Sequence, residues 1–318
     1  TSARPIPSFA VSGGRKRPAM QYPRILTAFS LLALTSIAYA QDAAPAGDYE
    51  PPRTEYGRPD LQGYWTNASL TSMQRPTNYA EVGLVIPPGQ LQEMTMNHHQ
   101  NVRQATDDGL VQGELLDGSD LAQGRGYNAF WVDPGERFGV VKGEARTSWI
   151  TYPEDGRIPF TQAGQERRRM AYDRTRSNDG PEGRALGERC LVGFGSTGGP
   201  PMNNVLYNNL YQIVQTEDYL MIMVVETVNM HPQQAPRNAA PLSEQGRIIE
   251  RFSRYSDEQI LYEFEVTDPA YYSETWRGEM SFNSTETRPY EYACHEGNYG
   301  LIGILAGARR QEADPGSD

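Results

Sequence analysis

The sequence predicts a mainly β protein, a single antiparallel β-barrel or strongly curved sheet with a few peripheral helices. Two features of the chain carry that prediction. Its 318 residues include 31 glycines, 23 prolines and 19 tyrosines, the usage of short strands joined by many turns and not of a helical bundle. Its second half also alternates apolar and polar residues with period two. From Gln259 to Thr267, Ile260, Tyr262, Phe264 and Val266 share one face while Glu263, Glu265 and Thr267 share the other, as a half-buried antiparallel strand requires.

Taken in order, residues 1–40 are expected to lie outside the working fold. Residues 1–19 read as an upstream extension. Met20 begins a secretory pattern: Arg24 as the basic region, Ile25 to Ile37 as the apolar run, and Ala38-Tyr39-Ala40 as a small-x-small cleavage site before Gln41. That apolar run is too short to span a bilayer, so no stable membrane span is expected, and the cleaved chain is assigned to the periplasm or the extracellular space. Residues 41–56 read as a flexible lead-in, 57–310 as a single β-rich domain and 311–318 as a disordered tail.

Charge excludes one class of partner. Residues 1–40 hold five basic residues and no acid, so their removal lowers the formal net charge by five, from −11 to −16. Such a chain is repelled by phosphate backbones, and no basic stripe interleaved with aromatics is present, so nucleic acid is not an expected partner. Only Lys142 remains as a lysine, which leaves phosphate-gripping or Schiff-base lysine chemistry resting on one residue.

Within the domain, Pro87 to Thr106 predicts a helix with Leu91, Met94, Val102 and Ala105 on a loosely apolar face. Asp107 to Gly126 reads as a loop. Tyr127 to Asp133, Phe138 to Val141 and Glu144 to Tyr152 predict a meander turning at Asp133-Pro-Gly-Glu136 and at Lys142-Gly143. Thr161 is placed to cap a helix running to about Ser177, and Pro181 to Glu188 reads as one further helical turn. Leu206 to Thr216, Tyr219 to Val228, Arg247 to Tyr255, Gln259 to Thr267, Glu274 to Asn283 and Pro289 to Ala293 predict strands. Asn298 to Arg309 carries Leu301, Ile304, Leu305 and Ala308 at helical spacing.

The chain holds two cysteines, Cys190 and Cys294. Export would place them in an oxidising space, which predicts a disulfide between them; two buried free thiols are the other reading. The bridge would close a loop of about 100 residues, stabilising by up to about 4.7 kcal/mol in the chain-entropy model.

Several motifs together resemble a widespread family of secreted bacterial proteins of unassigned function: Gly57-Arg-Pro-Asp-Leu-Gln-Gly-x-Trp65, Asn128-x-Phe-Trp131, Arg146-Thr-Ser148 with Asp155-Gly-Arg-Ile-Pro159, Glu188-Arg-Cys190, Tyr211-Gln-Ile-Val-Gln215, Ile249-Glu-Arg-Phe252, Leu261-Tyr-Glu-Phe264 and Tyr290 to Gly300. The resemblance implies a secreted, mainly antiparallel β protein and brings no activity with it. Relatives carry an additional segment where Tyr219 to Met223 here runs straight into Val224-Val-Glu-Thr227, which implies an open sheet edge in this chain. Gly63-x-Trp65 also resembles the first-strand signature of lipocalin-like barrels, and equally suits a core Trp after a turn.

The candidate chemistry concentrates in Tyr290 to Gly300. His295, with Glu296 beside it, is the candidate general base, since a histidine among carboxylates can take a proton near neutral pH. Strand-like aromatics and polar heads supply the candidate ligand-binding residues: Trp65, Asn128, Trp131, Tyr211, Arg251, Tyr262, Trp276 and Tyr299. If the sheet curls, inward aromatics with a few polar groups would line a cavity for a small, partly apolar ligand. No cofactor or metal is expected. His98 and His99 are neighbours on a predicted helix and so do not share a face. Gly193 to Gly198 matches G-x-G-x-x-G as text, but Gly199-Pro-Pro201 follows where a helix would have to begin. The readings are therefore a small-molecule binder, a hydrolase or lyase using His295, and a cell-envelope scaffold.

Overall fold

Three long strands, β7 (Arg247–Arg254), β8 (Gln259–Thr267) and β9 (Trp276–Ser284), form the centre of the fold in a computed structural model of the chain. The structure describes residues 49–102, 134–174, 178–184, 188–190, 200–205, 209–217, 224–228, 240–289 and 299–313.

The three strands pair antiparallel in the register that their apolar residues demand. Ile248 faces Val266, Phe252 faces Tyr262, Tyr262 faces Met280 and Val266 faces Trp276. The tight reversal between β7 and β8 is closed by Tyr255 and Ser256, whose N–H groups both donate to Gln259 O, and by the Arg254 guanidinium on the carbonyls of Ser256 and Asp257.

On its other side β9 meets two short strands. β4 (Ile150–Tyr152) lies along Arg277 and Gly278, and β1 (Gly63–Thr66) along Asn283 and Ser284. β5 (Leu210–Ile213) continues beyond β1, and β6 (Val224–Val228) beyond β7. The described strands thus run β5-β1-β9-β8-β7-β6 with β4 also on β9, and the sheet is strongly curled into a half-barrel. β2 (Val140–Val141) and β3 (Glu144–Ala145) form a separate hairpin. Its turn is Lys142-Gly143, as the sequence predicts, with φ of 53° and 81°, the pair of positive values that a two-residue hairpin loop of the right twist needs.

The curled face is filled by side chains. Trp65, Ile248, Phe252, Ile260, Tyr262, Phe264, Val266, Trp276, Met280 and Phe282 are all buried in one cluster. The rings meet edge to face: Tyr262 on Phe282 at 5.6 Å and 90°, Phe264 on Trp276 at 5.8 Å and 84°, and Tyr211 on Phe282 at 5.0 Å and 72°. Each such side chain taken out of water stabilises by roughly 1.5–3 kcal/mol. Gly278 lies under Phe264, and a Cβ there would run into the ring.

Helices are few. α1 (Pro88–Met96) is interrupted at Asn97 and His98, where Asn101 Nδ2 ties back to Thr95 O at 2.8 Å, and helical structure resumes over residues 99–102, with the rest of the predicted helix outside the described residues. α2 (Gln162–Arg174) begins as predicted behind Thr161, whose Oγ1 accepts from Gly164 N–H at 3.1 Å. The helical turn predicted from Pro181 begins as a 3₁₀ turn, Pro181–Gly183, and residues 185–187 lie outside the described residues. α3 (Tyr299–Ala313) runs on into the segment that the sequence assigns to a tail. Among the described residues no helix is long and apolar enough to cross a membrane.

The predicted strand from Glu144 to Tyr152 is broken. Between β3 and β4, the N–H groups of Arg146, Thr147 and Trp149 donate to Gly139 O, Leu84 O and Ser72 O, three different segments. Of the predicted strand from Leu206, whose residues 206–208 lie outside the described residues, Leu210–Ile213 is a strand and its end is irregular: Gln215 turns inward, its Oε1 accepting from Leu61 N–H and its Nε2 donating to Pro59 O.

Candidate functional site

Beside β1 the chain abandons regular structure, and three segments far apart in sequence enclose an open cleft of about 330 Å³. Its lining comes from residues 69–73 after β1, 98–100 after α1 and 203–205 before β5, with Pro134.

Asn204 holds the walls together. Its Nδ2 donates to Ser69 O at 2.7 Å and to Thr71 O at 3.2 Å, while its Oδ1 accepts from the indole N–H of the fully buried Trp149 at 2.8 Å. Val205 and Asn209 exchange reciprocal bonds: Val205 N–H donates to Asn209 Oδ1 at 2.8 Å, and Asn209 Nδ2 donates to Val205 O at 2.7 Å. The Thr71 hydroxyl donates to Arg146 O and accepts from Gly139 N–H. Side chains here do for the backbone what a neighbouring strand does elsewhere.

His98 is buried where α1 has ended. Its ring stands edge-on to Phe138 at 5.5 Å and 87°, with the His99 ring 4.4 Å away. Burial, with a smaller contribution from the His99 charge, pushes its pKa down to about 4, so it is neutral at physiological pH. Nδ1 accepts from Gln100 N–H at 3.3 Å, which leaves the proton of the neutral ring on Nε2 as a donor. Asn203 Oδ1, also in the lining, is buried and has no hydrogen-bond partner among the described residues.

Among the described residues, no Asp, Glu, Lys or Arg lines the cleft. The site offers hydroxyls, amides and a neutral imidazole beside Leu70, Met73, Pro134 and Val205. Such a surface takes up an uncharged molecule with hydrogen-bonding groups and some apolar area. His98 itself is a weak base at neutral pH, because its pKa is held at about 4, while the exposed His99 imidazole also lines the cleft. Among the described residues no three His, Cys, Asp or Glu side chains come together as a metal group.

The residues that the sequence nominated for ligand contact are placed otherwise. Trp65, Tyr262 and Trp276 lie inside the aromatic core, and Tyr211 packs partly buried against it. The reason is the period-two alternation itself, which turns all of these rings to the curled face that they fill. Arg251 falls on the opposite phase of β7 and is exposed, so it does not join them. Tyr299 opens α3. Asn128, Trp131, Cys294, His295 and Glu296 lie outside the described residues, as does the Gly193–Gly198 loop. Cys190 lies in a turn at φ 55°, and no free cysteine is present among the described residues.

Sequence reasoning passed over His98 because the predicted helix was carried through it. A usable signal was present: Asn67-Ala-Ser-Leu-Thr-Ser72 and Met202-Asn-Asn204 are runs of small, uncharged hydrogen-bonding residues with neither strand nor helix periodicity.

A carboxyl group is also buried within the aromatic core. Glu250, 5 % exposed, sits between Ile248 and Phe252 on the inner phase of β7 and accepts from Tyr262 OH at 2.5 Å. The same phenol oxygen accepts from Met202 N–H at 2.9 Å, which fastens the 202–205 wall of the cleft to the sheet. Burial pushes the Glu250 pKa up, against the smaller opposing effect of the phenol bond.

No protein-family model, curated protein or solved structure matches this chain.

Proposed function

We propose that this is an exported binding protein for a small, uncharged, partly apolar molecule, and that the molecule sits in the cleft around His98. The observation that carries this reading is the described lining: an open space bounded by hydroxyl, amide and imidazole donors and acceptors, one of them Asn203 Oδ1, which has no partner among the described residues, with apolar side chains between them. The curled face of the sheet, where the aromatic residues first suggested a cavity, is occupied by Trp65, Phe252, Tyr262, Phe264 and Phe282. Export rests on the Met20–Ala40 leader pattern, and a Cys190–Cys294 disulfide belongs to the same reading. The hydrolase or lyase reading depends on His295 and Glu296, and no described residue adds to it.

The test is native mass spectrometry of protein recovered from the periplasm of a bacterial host, followed by thermal melting against a panel of neutral sugars, polyols and amides. The expected result is a chain beginning at Gln41 that carries a small added mass lost on denaturation, or that melts higher with one panel class. Ser72 is exposed at the cleft, so Ser72→Trp should fill the space and abolish either signal without unfolding the protein. A bare mass together with no response to any panel member would overturn the proposal.

A further inference from the structure

His98 is fixed from several directions. Its N–H donates to Thr95 O at 3.3 Å and its carbonyl accepts from Val102 N–H at 3.0 Å, so the backbone is set where the helix is interrupted. The ring stands edge-on to Phe138, and Nδ1 accepts from Gln100 N–H at 3.3 Å. A neutral imidazole whose Nδ1 accepts a bond carries its proton on Nε2, and burial keeps this ring neutral at physiological pH. Nε2 makes no hydrogen bond to a described residue, and it is not among the polar atoms sealed from solvent. The residue is 5 % exposed, and the surface it shows is cleft lining. His98 therefore gives the cleft a donor in a fixed position and not an acceptor.

The neighbouring groups sharpen the selection. Asn204 is fully used, its Nδ2 on two carbonyls and its Oδ1 on the Trp149 indole. Ser69 Oγ accepts from Thr71 N–H at 3.0 Å, and its proton has no acceptor among the described residues, which makes it a second donor. The exposed His99 imidazole has no hydrogen bond among the described residues and can present a donor or an acceptor, so it selects neither. A ligand group that cannot accept would leave the His98 N–H desolvated and unpaired, and a site built around a hydrogen bond rejects such a group. A carbonyl oxygen has two lone pairs and no proton to place, whereas an alcohol must also find an acceptor for its own O–H. An amide or lactam carries its N–H on a second atom, which suits Asn203 Oδ1.

We infer that the occupant of the cleft is an uncharged carbonyl compound, with an amide or lactam the best match, whose oxygen accepts from His98 Nε2–H. The inference rests on the binding reading proposed above and narrows the class of molecule bound.

The test titrates the ¹⁵N-labelled full chain at neutral pH with rings of similar size. 2-Piperidone and cyclohexanone carry a carbonyl; cyclohexanol and piperidinium chloride do not, and myo-inositol represents the polyols. Long-range ¹H–¹⁵N spectra of the imidazoles report the result. In the unliganded protein the His98 proton should be on Nε2. The two carbonyl rings should shift that nitrogen saturably and bind up to about tenfold more tightly than cyclohexanol, the contribution of one hydrogen bond. Piperidinium should not bind. His98→Phe keeps a ring edge on Phe138 without the donor, and thermal melting should show its preference for carbonyl over alcohol reduced to within about twofold. Cyclohexanol or myo-inositol binding as tightly as the carbonyl rings, a preference retained in His98→Phe, or a proton on Nδ1 would overturn the inference and leave the binding reading standing. A chain that answers to other members of the neutral panel but to neither carbonyl ring does the same. One that answers to nothing overturns both. If His98→Phe does not fold, the wild-type Nε2 signal decides: saturable movement with cyclohexanone supports the bond, and a still signal removes it.

Discussion

Along β7, β8 and β9, each backbone group bonds to the next strand and every second side chain is free to pack inward. From Asn67 to Arg75 the chain does the opposite. Leu70 N–H reaches Arg137 O, Thr71 uses its hydroxyl on Arg146 and Gly139, and Asn204 gathers two carbonyls at once. The ladder spends its side chains on a solid core, whereas the irregular wall spends them on its own backbone and leaves gaps between segments. The cleft lies on the wall, which is what a division between a rigid scaffold and a site-bearing edge looks like at the level of hydrogen bonds.

The comparison breaks most severely at the ladder. Trp276→Ala should cost about 3–5 kcal/mol, since it opens a void beneath Phe264 and Tyr272, and denaturant unfolding measures it directly. On the wall, Asn204→Ala should cost about 2–3 kcal/mol with little lost apolar area, because it strands the Trp149 indole N–H and two carbonyls. A variant that left stability unchanged would show that water replaces the amide and that the wall is looser than drawn.

The next effect is read as a slope. Glu250 has its folded pKa raised, so its contribution to stability is present below the unfolded value near 4.5 and is lost as pH rises through the raised one. His98 has its folded pKa lowered to about 4, so its contribution is present above the unfolded value near 6.5 and is lost as pH falls toward 4. The ladder therefore favours acid and the wall favours neutrality. Glu250→Gln keeps an acceptor for Tyr262 and should remove the first slope, melting at least as high as the wild type at pH 7 and losing that advantage near pH 4. In the same protein the His98 C2–H resonance should stay unshifted down to about pH 5. A His98 titrating near 6.5 would contradict its burial.

The smallest effect sharpens the contrast from outside. Arg277 pairs with Glu265 at 2.6 Å across the exposed face of β8 and β9, where one partner is 52 % and the other 27 % exposed. Arg277→Ala should cost under about 1 kcal/mol in denaturant unfolding, because water screens the pair.

The ladder was legible in the sequence and the wall was not, for a physical reason. Ile260, Tyr262, Phe264 and Val266 announce their common face because a strand repeats every two residues, and Lys142-Gly143 and Thr161 announce a turn and a cap because few residues serve those positions. Nothing periodic links Ser69, His98 and Asn204. They meet because Asn204 bonds the Ser69 and Thr71 carbonyls and because α1 breaks after Met96, two residues before His98. The aromatic residues misdirected the search for a binding site: the alternation that made them visible also drew them into the core.

One bond within the wall gives the molecule an optical readout. Trp149 is sealed from solvent, yet its indole N–H ends on Asn204, the residue that holds the cleft walls. Indole emission responds to the hydrogen bond at that nitrogen, so an occupant that moves the Asn204 amide changes the colour and yield of the protein's own fluorescence. Occupancy of the cleft can then be followed without a label, and the same signal exchanged through Trp149→Phe reports whether the light came from there.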